Sequence, residues 1–272
     1  MGIFPILLSA SVATASIPHT APHSPPPDPV RPAMWMINDG DTTVYLFGTF
    51  HALDGSTNWF KDGVKHAFQA SDQLVLETLV PRGGTLAIPH AGVPTRPAPS
   101  VVNLAPSAFA ASTRMVMNAS HRRGMSVARG ADAALRLAAE GSGKPVGALE
   151  SFEFQINLFS SLSRSPQPQP QVELRGANSM TTLSAVLAKL QDAWVRGDMA
   201  TFAPMLEQMR AQSPHAYRTM FVERNARWAS WIASRLHEPG TVFVAVGAGH
   251  LTGRDSVQNQ LAAIGVGSVR VN

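Results

Sequence analysis

The sequence predicts an α/β protein: a mixed, mostly parallel sheet flanked by helices, with a helical insertion in the middle of the chain. Three observations carry that reading. Short apolar runs at 44–47, 74–76 and 242–246 have the character of strands buried on both faces. A helical pattern separates the first two, the order expected of a right-handed parallel crossover. From about 106 to 237 the pattern is helical almost throughout.

The elements follow in order. Asn38-Asp39-Gly40-Asp41 between apolar runs at 34–37 and 43–47 marks a hairpin. A helix over 61–70 places Val64, Ala67 and Phe68 on one side, and 73–77 is a strand ending at Glu77. The Pro- and Gly-rich stretch from 81 to 106 reads as a long surface loop over the strand ends. Helices are expected over 106–122 and 131–140, then a short strand over 145–149 with Glu150 at its end. Ser151 is placed to cap a helix running to about 162, and 164–170 is a proline-rich break. Helix resumes over 178–210, interrupted near Gly197 and Pro204, and again over 214–236. Gly240 ends it, 241–246 is the most strand-like run in the chain, 256–263 is a helix and 268–271 a final edge strand.

A chain of 272 residues suffices for one large domain. Its 44% apolar content excludes a disordered protein, and a net charge of +4 with scattered arginines excludes a nucleic-acid stripe. With no cysteine there are no disulfides, thiolate metal sites or cysteine nucleophiles. Residues 1–15 are apolar and end in Ala13-Thr14-Ala15, which reads as a signal peptide, although no Lys or Arg precedes the apolar core. Residues 16–33 read as a Pro-rich linker, leaving 34–272 as the folded domain, periplasmic or secreted. No run reaches the length of a transmembrane span. The oligomeric state is not legible.

Two phrases repeat: Gly48-Thr49-Phe50-His51 and Gly247-Ala248-Gly249-His250, both Gly-x-x-His and both after an apolar strand. His51, Glu77 and His250 all fall at carboxyl ends of expected strands, where open α/β sheets bind ligands. Two imidazoles and a carboxylate can hold a divalent ion such as Zn²⁺, Mn²⁺ or Co²⁺ and lower the pKa of its water. The same residues permit a metal-free reading, with a histidine paired to Glu77 as general base. Gly48 and Gly247 are expected to let the backbone turn after each strand. Arg224 and Asn225 can hold developing negative charge. Glu150 is a supporting carboxylate, and an alternative for Arg224 is a buried ion pair with Glu150 or Glu153. Trp194, Trp228 and Trp231 read as packing residues. The remaining histidines, among them His66, His121, His215 and His237, read as solvated.

At these residues the chain resembles the TraB/GumN family, in its GumN-like branch. The matching pieces are Leu46-Phe47-Gly48-Thr49-Phe50-His51, Leu74-Val75-Leu76-Glu77, Gly143 to Glu150 with Gln155, Glu223-Arg224-Asn225 and Phe243 to Leu251. They keep the family's order from about 34 to 271. The family is similar to the Tiki metalloproteases and, more distantly, to erythromycin-esterase-like and haem-uptake ChaN-like proteins. The resemblance implies an α/β core with a helical insertion and site roles for His51, Glu77 and His250, more weakly for Arg224 and Asn225. It implies a metal-dependent hydrolase of peptide or amide bonds, with a peptide or small-molecule substrate, and the leader-like residues 1–15 make it an exported one. The alternative on the same fold is a non-catalytic periplasmic binding or accessory protein that holds haem or a metal complex. The chain departs from the family after Glu77, where 81–99 is rich in Pro and Gly, and lacks an aromatic near 115–118.

Overall fold

Two segments from opposite ends of the chain, β2 (Thr42–Thr49) and β5 (Gly240–Gly247), pair in parallel along their whole length, Thr42 against Gly240 and Thr49 against Gly247. The computed structural model describes residues 30–81, 108–164 and 177–272. The leader at 1–15, most of the linker, the long loop at 82–106 and the break at 165–170 lie outside the described residues.

Among the described residues the sheet has six strands in the order β4-β3-β5-β2-β1-β6. β3 (Gln73–Thr78) and β4 (Val146–Glu150) run parallel to β5, whereas β1 (Met34–Asp39) and β6 (Val269–Arg270) are antiparallel additions at the other edge. The sheet is therefore mixed and mostly parallel, as expected. β2 and β3 are joined by α1 (Asp62–Ala70) but are not neighbours, because β5 lies between them. The β1–β2 hairpin closes through Gly40 at φ +59°, a left-handed conformation that suits glycine in so tight a turn.

The central strands alternate between two cores, which is why they read as unbroken apolar runs. Phe47, Leu74, Leu76, Phe243 and Ala245 pack against α1, α3 (Ala131–Gly141) and α5 (Ala177–Val195), around the buried Trp194. Val44, Leu46, Val75, Val242, Val244 and Val246 face α8 (Glu223–Arg235) and α9 (Val257–Ala263), with Trp228 and Ile232 at the contact. The other helices are α2 (Ala108–Arg122), α4 (Phe152–Arg164), α6 (Ala203–Gln212) and the short α7 (Pro214–Tyr217). They fill the middle of the sequence, so the insertion is helical as expected.

Three local differences have physical causes. Residues 30–33 already belong to the fold: Arg31 N–H donates to Val195 O at 2.8 Å, and Ala33 is buried. Pro204 does not interrupt a helix but begins α6, where its missing N–H costs nothing. The expected helix over 214–236 contains a π-helical stretch at Arg218–Val222.

Candidate active site

The parallel pairing of β2, β5, β3 and β4 brings four strand ends to one edge. β3 delivers Glu77, β4 delivers Glu150, and the 3₁₀ turn after β5 (Ala248–Leu251) delivers His250. The end of β2 leads into the loop bearing His51 and is pinned by Trp194, whose Nε1–H donates to Gly48 O at 2.7 Å. Arg224 and Asn225 enter from the start of α8, buried together with Trp228.

Arg224 is the hub. Its Nε donates to both oxygens of Glu150, at 3.1 and 3.0 Å, and Nη2 pairs with Glu77 Oε2 at 3.0 Å. Nη1 donates to Met220 O at 3.3 Å and lies 3.3 Å from His250 Nε2. The π-helical stretch supplies that Met220 carbonyl, and π-turns often mark functional positions. Every nitrogen of the guanidinium has a partner, so Arg224 shapes the charge of the site rather than offering a spare donor. Asn225 is equally committed: Nδ2 donates to Asp255 O at 2.7 Å and to His250 O at 3.4 Å. Glu150 accepts further from Trp228 Nε1 and Arg227 Nη2, so the ion-pair alternative for Arg224 is what the fold contains. Glu153 is exposed.

The histidine tautomers follow from these partners. Because Asn225 spends its amide N–H groups on carbonyls, its Oδ1 must accept from His250 Nδ1–H, at 2.6 Å. His250 Nε2 is then the bare nitrogen, accepting from Arg224 and lying 3.7 Å from Glu77 Oε1. Phe221 and Trp228 flank the ring, with centroids 4.9 and 4.4 Å away. Burial pushes the His250 pKa down to about 3, outweighing the attraction of Glu77, so the ring is neutral near pH 7. Burial works the other way on Glu77. The neighbouring His250 ring, the Arg224 and His51 cations and the Gly247 N–H, at 2.6 Å, outweigh that and hold its pKa at about 2.

His51 stands at the rim, its side chain 60% exposed. Its Nδ1 meets Asp132 Oδ2 at 2.8 Å, and Asp132 Oδ1 accepts from Thr49 Oγ1 at 2.7 Å. The Asp132 carboxylate raises the His51 pKa to about 9. Nε2 faces inward. A Cβ on Gly247 would stand 2.8 Å from His51 Nε2 and 3.1 Å from Glu77 Oε1. Gly247 is therefore needed for space. Its φ is −54°, and Gly48 also avoids positive φ, so neither position draws on the left-handed freedom of glycine, although the chain turns into a 3₁₀ helix directly after Gly247.

The structure thus gathers Glu77, His250, Arg224, Asn225 and Glu150 into one buried network and sets His51 against its open side. Asp132 and Thr49 were missed by sequence reasoning. Asp132 lies in the first turn of α3, where an acidic residue is ordinary because it complements the helix dipole.

The donor set does not fit a divalent ion as it is arranged. Both imidazoles have Nδ1 tied to an acceptor and Nε2 turned toward the site, which suits ligation. Yet the Arg224 cation touches Glu77 and His250, and among the described residues no three His, Asp, Glu or Cys side chains form a group able to hold a metal. Among the described residues no helix is long and apolar enough to cross a membrane.

A family model described as the TraB/PrgY/gumN family matches residues 33–88 and 87–268. Neither a curated protein nor a solved structure matches the chain.

Proposed function

The chain belongs to the TraB/PrgY/gumN family, and from that premise we propose that it is a hydrolase of peptide or amide bonds in which His51 and Glu77 activate water. One observation carries the reading: His51 Nε2 and Glu77 Oε1 flank the same spot beside Gly247, where a side chain would intrude. A water held between His51 Nε2 and Glu77 Oε1, clear of the Gly247 Cα, donates one hydrogen to Glu77 and gives the other to neutral His51 as its oxygen attacks the carbonyl. The imidazolium then returns the proton to the leaving amine. Glu77 stays ionised throughout because Arg224 and the Gly247 N–H hold it so. His250, neutral and oriented by Asn225, keeps a proton acceptor against Arg224 and leaves that cation uncrowded.

In this reading no ion moves the proton. The metal-dependent form of the same chemistry requires Arg224 to leave Glu77 and His250 before His51, Glu77 and His250 can share Zn²⁺, Mn²⁺ or Co²⁺. Export rests on the leader-like character of residues 1–15 and is proposed with it.

The test is a screen of peptide, amide and ester libraries with wild-type protein, His51→Ala and Glu77→Gln. Turnover in the wild type that drops by roughly 10²–10⁴ in His51→Ala is the expected result, the usual worth of a positioned acid–base group. Equal turnover by all three proteins removes the reading. No turnover, with a Soret band on adding haem, supports the non-catalytic binding protein instead.

A further inference from the structure

We infer that Gly130, Ala131 and Asp132 form a clamp that orients His51, with Asp132 as a positioning residue that fixes which ring nitrogen faces the site. The inference deepens the hydrolase reading, since it rests on His51 being the group that moves the proton.

Three contacts build the clamp. Gly130 lies so close beneath the His51 loop that a Cβ there would collide with the His51 carbonyl oxygen. The next residue, Ala131, donates its N–H to Phe50 O at 3.0 Å. Asp132 then spends one carboxylate oxygen on Thr49 Oγ1, at the end of β2, and the other on His51 Nδ1. Three consecutive residues at the start of α3 thus back the His51 carbonyl closely, hold the Phe50 carbonyl before it and hold its ring. Leu53 and Ser126 hold the far side of the loop through reciprocal backbone hydrogen bonds at 3.3 and 2.9 Å.

The chemistry of the contact decides the tautomer. A carboxylate only accepts, so Nδ1 must carry the proton and Nε2 is the nitrogen presented to Glu77. The opposite tautomer would leave Nδ1 bare against the carboxylate and close Nε2 to a proton from water. Stability gives little reason for the pairing. His51 is 60% and Asp132 27% exposed, and ion pairs open to solvent contribute little. Orientation is the consequence that remains. The same logic holds His250, whose Nδ1–H goes to Asn225, so the two histidines are aimed by two different acceptors on two different helices.

The experiment is proton NMR of the full chain, read for a downfield ring N–H resonance from His51, assigned by its loss in His51→Gln. The resonance is expected in the wild type, protected from solvent exchange by Asp132, and lost in Asp132→Ala while the melting temperature moves by no more than about 4 °C. Its absence from the wild type overturns the clamp even if Asp132→Ala folds poorly. Its persistence at the same shift in folded Asp132→Ala overturns it as well. Turnover separates the two layers. Full turnover by Asp132→Ala, with the resonance gone, overturns the positioning role. Unchanged turnover by His51→Ala removes the hydrolase reading and leaves the clamp standing on the spectrum.

Discussion

Arg224 carries the electrostatics of the site through single contacts that can be removed one at a time. It is buried with two carboxylates, Glu77 and Glu150, each within about 3 Å. Replacing it with Met leaves both of them buried without their main cation, and breaking a buried pair in this way costs about 3–5 kcal/mol. Urea denaturation of Arg224→Met should show that loss. Gly247→Ala tests the spacing of the site. Its methyl group would press on His51 Nε2 and on the buried Glu77 Oε1, 2.8 and 3.1 Å away. Turnover should fall, and the denaturation midpoint should fall with it, since overpacking costs about 1–3 kcal/mol. The pH dependence has a definite sign. His51 serves as a base only when neutral, and its pKa is raised to about 9 by Asp132. The rate of the base-limited step should therefore climb with pH and level off above about 9, as a pH–rate profile would show.

At the scale of elements, what was legible and what was hidden divide by mechanism. Strand ends were legible because a buried run that stops at a charged or glycine residue has few alternatives; that placed Glu77, Glu150 and both Gly-x-x-His phrases. Ser151 was legible as a cap, and its Oγ accepts from Phe154 N–H at 3.1 Å. The π-helical stretch at Arg218–Val222 was hidden, since one extra residue per turn leaves no composition signal. Asp132 was hidden because its role depends on α3 docking beside β2, a pairing of residues 83 positions apart from Thr49. Sheet order was hidden too: nothing local in β2 or β3 reveals that β5 slides between them. The docking of α5 onto β2 is testable at this scale. Trp194→Phe removes the Nε1–H bond to Gly48 O inside the core, leaving a buried carbonyl unsatisfied. A loss of about 1–3 kcal/mol is expected by urea denaturation.

Over the whole molecule, the site ties folding to pH. His250 is neutral in the fold, with a pKa pushed down to about 3, whereas in the unfolded chain it takes a proton near 6.5. Between those values the unfolded state binds the extra proton, so stability falls as pH drops from about 6.5 to 3. Glu77 adds to the loss only at lower pH, as acid titrates it from its ordinary range of about 4.5 toward 2. The midpoint of urea unfolding should decline over that window, and the slope should be shallower in His250→Gln. The two halves of the site meet because β2 and β5 pair in parallel and finish together.

Titration of the His51 ring by NMR, in the wild type and in Glu77→Gln, tests that convergence most directly. The account predicts a midpoint near 9 in the wild type, well above the ordinary 6.5, and a lower midpoint once the Glu77 charge is removed. A ring that titrates near 6.5 and ignores the loss of Glu77 would show that His51 does not face the buried carboxylate.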